Sequence, residues 1–226
     1  HHTAHRSAFQ KRLIRQPLMQ NVLADMAIEV EAAMALGLRV AHAMDATDDP
    51  AEAALARIGT AVAKYWNTKR CPGLVAEALE CHGGPGYVED SIMPRLYREA
   101  PLNSIWEGSG NIMGLDVLRA MTREPEAIPA FMAELEKARG NDANLDHGID
   151  ELRGEFENKT GIEGRMRMIT EMMALCLQGA LLTRHAPSVV GEAFCASRLA
   201  PRYRGAYGTL PAGCDLQAII DRAMPA

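Results

Sequence analysis

Glu107 stands in the string Ile105-Trp106-Glu107-Gly108-Ser109-Gly110-Asn111, with an indole before it and three small residues after it. A carboxylate in that setting can act as a general base, because small neighbours let a substrate approach and apolar ones tune its affinity for a proton. The same residue, one turn ahead of an apolar helical pattern, can equally serve as a charge at a helix start, where the backbone dipole favours an anion. A second unusual stretch is Glu80-Cys81-His82-Gly83-Gly84-Pro85-Gly86-Tyr87, followed by Pro94-Arg95-Leu96-Tyr97-Arg98-Glu99-Ala100. Glycines gather where a backbone turns sharply or passes close to something, and taken alone this run is more often an ordinary turn than a site. It is no phosphate-binding P-loop, for the Gly-Lys-Ser/Thr ending is missing. No strand precedes it and no βαβ unit surrounds it, which excludes a dinucleotide fingerprint of the Rossmann type.

Helices must position these residues. From Gln16 to about Asp45, apolar residues recur at Met19, Val22, Leu23, Met26, Val30, Ala33 and Met34, the spacing of an amphipathic helix. Asp49-Pro50-Ala51-Glu52 then reads as an N-cap, a proline at the first helical position and a capping-box glutamate, opening a second helix through about Thr68. Pro72 is expected to interrupt or kink it. A further helix runs from Gly73 to about Cys81 and ends at the glycine cluster, read as a loop. Ile112, Leu115, Val117, Leu118 and Met121 mark another helix that begins near Gly108-Ser109. Four helices thus occupy residues 1 to 122. Glu124-Pro125, Pro129 and the polar stretch Lys137 to Leu145 then place a subdomain boundary near 123. Helical patterns follow at 127 to 139, 145 to 158, 161 to 184 and 188 to 200, with Met166, Ile169, Met172, Met173 and Cys176 as an apolar stripe of core character. Residues 201 to 213 read as a loop, and a short helix starts at Asp215.

Composition agrees with an all-α chain. The 226 residues are 48% apolar with only 5% aromatics and 13 Met, a mixture that favours helix over strand. The five cysteines form no CxxC or Cys/His metal pattern and read as reduced, mostly buried thiols; no metal site is expected. No apolar run is long enough to span a membrane, which points to a cytoplasmic protein. A net charge of −5 argues against a surface that binds nucleic acid throughout. Arg184, Arg198, Arg202 and Arg204 are the candidates for local phosphate contacts, although acidic residues outnumber basic ones over 123 to 226 and a solvated loop is the plainer role for these arginines.

Four motifs in one order change the weight of these readings. Arg6-Ser7-Ala8-Phe9, the Gly83-Gly84-Pro85-Gly86-Tyr87 loop, Pro94 to Ala100, and Ile105 to Ile112 resemble the acyl-CoA dehydrogenases, and the stretch Pro94 to Met121 is similar to the alkylation-response, AidB-like branch of that family. The resemblance implies an acyl-CoA dehydrogenase C-terminal four-helix bundle over 1–122 and an AidB-like extra helical domain over 123–226. It leaves the family's N-terminal helical and middle β-domains outside this chain, so no turnover is expected from the chain alone. By position, Glu107 matches the glutamate that abstracts the α-proton of an acyl-CoA while the β-hydrogen leaves as hydride to FAD. Trp106 and Gly108 would flank the acyl chain. Ser109 and Asn111 match positions near the flavin cofactor. Arg6, Phe9, Gln16, Glu80, Gly83 and Gly84 match positions that meet the flavin of a neighbouring subunit, which implies a homodimer or homotetramer. Gln10 departs from the family's usual glycine, and Glu80 from its usual glutamine. An electron-accepting flavoprotein is the partner the resemblance suggests. Within the AidB-like branch the alternative is a flavoprotein scaffold whose C-terminal helical domain binds duplex DNA, with Arg198, Arg202 and Arg204 as contacts.

Overall fold

A computed structural model describes residues 1–201 and 205–224. The chain opens with a one-turn helix α1 (His2–His5), a two-stranded hairpin β1 (Ser7–Ala8) and β2 (Lys11–Arg12), and a 3-10 turn (Leu13–Arg15). Long helices α2 (Pro17–Asp45) and α3 (Pro50–His82) follow, then α4 (Gly84–Tyr87), α5 (Met93–Glu99), a 3-10 turn (Ala100–Ser104) and α6 (Gly110–Arg123). Beyond it lie α7 (Ala127–Glu136), α8 (Ala143–Glu157), α9 (Ile162–His185), α10 (Ser188–Phe194), a π-helical turn (Cys195–Leu199) and α11 (Leu216–Ala223). The fold is all-α apart from the small hairpin, which helical periodicity did not disclose.

Helix α2 buries Ala24, Ile28, Ala32, Leu36, Val40 and Ala43, a ridge of mostly four-residue steps. Its alanines let α3 come close, and at Gly59 an added Cβ would stand 3.2 Å from the Val40 side chain. The stripe marked by Val30 and Met34 belongs to the neighbouring face and stays exposed, as does Leu38. Periodicity located a helix there but chose the wrong face, since α2 is apolar on more than one side.

Pro72 lies inside α3 without ending it. The proline deprives the Thr68 carbonyl of its usual amide partner, yet Tyr65 and Trp66 before it and Cys81 after it are buried, so packing on both flanks keeps the helix in line. Asp49 caps α3 as expected, accepting from the Ala51 amide at 2.8 Å. Glu52 does not complete a capping box, because both its oxygens are taken by Arg39, at 2.7 and 2.8 Å. The segment read as a glycine loop contains the short helix α4, entered through Gly83 at φ +65° and started by Pro85.

Helix α9 is the centre of the molecule, packing on α2, α3, α6, α8 and α10. From Met173 to Leu182 every residue is buried, the all-round burial of an interior helix. Most of the buried apolar side chains form one cluster from Ala24 to Ile220 that continues on both sides of residue 123. Cys81, Cys176 and Cys195 are buried and Cys71 and Cys214 half-buried, all of them free. Burial pushes the Cys81 thiol up to about 11 and the Cys176 thiol to about 12. Among the described residues no helix is long and apolar enough to cross a membrane, and no cluster of three or more His, Cys, Asp or Glu could hold a metal ion.

Candidate functional site

The 3-10 turn and the start of α6 suspend a short loop, residues 105–109, against the middle of α3. Glu107 sits in this loop at φ +57°, a left-handed conformation that costs a residue with a Cβ on the order of 1 kcal/mol. Its carboxylate is exposed and makes no hydrogen bond or ion pair among the described residues. Ile105 and Trp106, 62% and 54% exposed, stand beside it. Gly108 follows at φ +116°, where an added Cβ would meet the Met113 methyl at 2.3 Å and the Ile112 branch at 3.3 Å. Two positive-φ residues in succession turn the chain sharply enough to leave the carboxylate facing outward ahead of the helix.

Helix α6 begins one residue later than the sequence pattern suggests. Ser109 is its N-cap but makes no capping hydrogen bond with its hydroxyl, and no acidic residue occupies the first turn. The first amides of α6 therefore have no acceptor of their own, since a helix leaves its leading N–H groups unpaired. Asn111 is exposed in the same turn. Together with Ser109 it offers donors suited to phosphate or carbonyl oxygens, while Ile105, Trp106, Ile112 and Leu115 offer exposed apolar surface beside them. The donors fit the phosphate oxygens of a dinucleotide cofactor, and the apolar side chains beside them fit a hydrocarbon chain.

Sequence reasoning missed the residues that hold the loop. Lys64 of α3 donates to the carbonyls of Asn103 at 2.6 Å and Gly108 at 3.3 Å, bracketing Glu107 from behind. Arg167 of α9 donates to the Asn111 side-chain oxygen at 3.2 Å and to the Tyr65 hydroxyl at 3.4 Å. Neither has a sequence signal beyond a charge on a helix, because the partners are 44 and 56 residues away.

The other candidates gather elsewhere. The Phe9-Gln10 pair forms the tip of the hairpin with φ +52° and +64°, the paired left-handed conformation of a type I′ turn. That geometry is the physical reason a glycine would suit position 10. Phe9 at the tip is 96% exposed. Gln16 turns inward and uses its amide to hold the Ala8 carbonyl at 3.1 Å, so it buttresses the hairpin. Arg6 is exposed, with no hydrogen bond or ion pair from its guanidinium among the described residues. His2 stacks on His82 with ring centres 4.6 Å apart, which brings α1 to the end of α3 where Glu80 and Gly83 lie. At Gly83 and Gly84 nothing stands within 4 Å of an added Cβ, leaving the backbone open. The rise of α3 from Lys64 to Gly83 separates this group from the Glu107 loop by about 28 Å. The candidates thus fall into two sets at two positions along one helix.

The candidate phosphate contacts toward the C-terminus fare differently. Arg198 is buried, with its guanidinium between Asp25 and Glu29 of α2, and has no face left for DNA. Arg184 is bound to Glu134 at 3.1 Å. Burial raises the affinity of Glu29 for a proton, but hydrogen bonds and charge from Arg70 and Arg198 outweigh it and leave the carboxyl below its ordinary range. Arg202 and Arg204 lie outside the described residues.

A helical bundle with this loop and this motif order defines a family. Residues 1–122 match the model of the acyl-CoA dehydrogenase C-terminal domain, and the chain belongs to that family. It is 40% identical to AidB of Escherichia coli (strain K12) over 195 residues, 86% of this chain and 36% of that protein. It is 29% identical to acyl-CoA dehydrogenase family member 11 of Caenorhabditis elegans over 204 residues, 80% of this chain and 33% of that one. The chain therefore spans about a third of the length of these relatives. Among solved structures, that of Caenorhabditis elegans ACDH-11 in complex with C11-CoA superposes with a TM-score of 0.79 at 26% identity, covering 88% of this chain and 39% of the other. An acyl-CoA dehydrogenase from Bacillus anthracis complexed with FAD shares the fold, with a TM-score of 0.61 at 20% identity, covering 86% and 42%.

Proposed function

We propose that this chain is the C-terminal part of an FAD-dependent acyl-CoA dehydrogenase in which Glu107 is the catalytic base. The observation that carries the reading is the Glu107 loop: a carboxylate without a hydrogen-bond or ion-pair partner among the described residues, held in left-handed backbone between exposed apolar side chains and the open start of α6. Strained backbone of this kind persists only where the surrounding structure holds it, and Lys64, bonded to the carbonyls of Asn103 and Gly108, does so here. The family assignment and the acyl-CoA bound by a similar structure support the same substrate class.

Glu107 takes the proton from the carbon next to the thioester carbonyl. Trp106 and Ile105 line the approach of the acyl chain, and Gly108, at a φ of +116° that strains any side chain, turns the backbone that presents the carboxylate to it. FAD, when bound, would supply the two-electron acceptor for the β-hydrogen, the acyl thioester thereby being oxidised to the 2-enoyl thioester. Ser109, Asn111 and the first amides of α6 hold the cofactor's polar groups. The set around Arg6, Phe9, Glu80, Gly83 and Gly84 lies too far along α3 to serve the same cofactor, and we assign it to the flavin of a second copy in a homodimer or homotetramer. The exposed face of α2 at Val30, Met34 and Leu38 is apolar surface left for contact with the rest of the assembly. Residues 1–122 then form the catalytic part, and 123–226 an added helical domain packed behind it.

The test is made on the full-length protein. Anaerobic addition of a panel of straight and branched acyl-CoAs is expected to bleach the flavin absorbance. Glu107→Gln, which keeps the shape and removes the base, is expected to slow bleaching by at least about a hundredfold while retaining flavin. Flavin that no acyl-CoA reduces, or bleaching that survives the substitution, overturns the assignment.

A further inference from the structure

Arg167 lies in α9, outside the segment 1–122 that the family's domain model covers, yet it reaches the candidate cofactor site. Its guanidinium sits over the ring of buried Tyr65, 6.0 Å from the centroid, and also donates to the phenol oxygen. Anchored there, it donates to the side-chain oxygen of Asn111 at 3.2 Å. Guanidinium has five N–H donors and no acceptor, so only the oxygen of the Asn111 amide can face it. This bond between two exposed side chains favours one of the amide's two orientations, the one with its NH2 turned away from α9. Lys69 adds a second cation at this point: at Gly110 an added Cβ would stand 2.7 Å from its Cε and 3.4 Å from the Tyr65 ring. Glu171, one turn along α9, offsets part of the charge of Arg167.

We propose that Arg167 is a positioning residue of the cofactor site, locking the Asn111 amide so that it presents a donor to the acceptor oxygens or ring nitrogens of the bound dinucleotide. The proposal rests on the reading that FAD binds at the start of α6. It gives the added helical domain a part in building the site in front of it.

The experiment measures FAD dissociation from the full-length protein by the fluorescence of released flavin, together with the visible flavin spectrum. Arg167→Ala is expected to weaken FAD about tenfold, as for loss of a charge-assisted hydrogen bond. Arg167→Lys, still a pure donor, is expected to bind within about threefold of wild type. Arg167→Glu accepts instead of donating, turns the amide over, and is expected to weaken FAD more than alanine does. In an Asn111→Ala background, Arg167→Ala is expected to cause no further loss, because coupled residues are not additive. FAD affinity unchanged in Arg167→Ala, or an equal loss with and without Asn111, overturns the proposal. Should Arg167→Ala fail to fold, the ranking of the lysine and glutamate variants decides it: equal affinities sink the proposal. A wild-type protein that binds no FAD overturns the underlying reading, and this proposal with it.

Discussion

Gly108 shows how much of the site depends on one residue. At φ +116° it lies beyond the left-handed region that other residues visit, so even alanine is strained there. The flexible Met113 methyl can move out of the way of an added Cβ, whereas the backbone angle cannot be kept. Gly108→Ala is therefore expected to shift the Glu107 carboxylate rather than to unfold the protein. In the full-length protein, flavin bleaching by acyl-CoA should slow by about ten- to a hundredfold, the usual result of misplacing a catalytic group by about 1 Å. Unchanged bleaching in a folded variant would mean that the loop geometry is not what aligns the base. The residue types around Glu107 were legible in the sequence, but its left-handed backbone was not, since glutamate carries no mark of a positive φ.

Helix α3 is the element on which both sets of candidate residues are mounted. Its middle carries Lys64 and Tyr65, and its end carries the Gly83 turn and the His82 ring that α1 meets. Because the helix passes through Pro72 unbroken, the spacing of the two sets is rigid. Lys64 ties the helix to the loop through two carbonyl oxygens. Lys64→Met keeps the aliphatic stem and removes both bonds. We expect kcat of the full-length protein to fall about tenfold or more with FAD still bound, because the loop loses its tether while the proposed cofactor contacts at Ser109 and Asn111 remain. Stopped-flow reduction beside a flavin-binding titration separates the two effects; parallel loss of both would place Lys64 among the cofactor contacts instead. The helical pattern of α3 was readable, but Pro72 argued locally for two helices, and only the flanking packing made it one.

Across the whole molecule, buried ion networks join the first half of the chain to the second. Arg198 of the π-helical turn binds Asp25 and Glu29 of α2, and Gly208 donates to Asp25 at 2.9 Å. Arg39 of α2, Lys137 and Arg184 converge on Glu134 of α7. Burial raises the proton affinity of Glu134, but hydrogen bonds from Arg39 and Lys137 prevail and hold its carboxyl down at about 2. Between that value and the ordinary one of 4.5, the unfolded chain binds more protons than the folded one, so stability rises with pH there. The contribution is complete above about pH 5 and is lost as the pH falls through the folded-state value. Urea unfolding at pH 6 and pH 3.5 should show a lower midpoint at the acid end. Glu134→Gln should lower stability at pH 6 and reduce the difference between the two midpoints; an undiminished difference would assign the acid sensitivity to other carboxylates.

By itself the sequence determined the helical class, the course of α2, the Asp49 and Asp215 helix starts to within a few residues, and the motif string around Glu107. These follow from short-range rules of periodicity, capping and turn chemistry that act within a few residues of the chain. Tertiary structure alone decided which face of α2 is buried, that Glu52 serves Arg39, that Arg198 is an interior ion partner, that Lys64 bonds the Asn103 and Gly108 carbonyls, and that Arg167 bonds Asn111. Each depends on groups far apart in sequence, where no local period encodes the partner and the outcome is set by which charges and apolar faces the packed helices bring together.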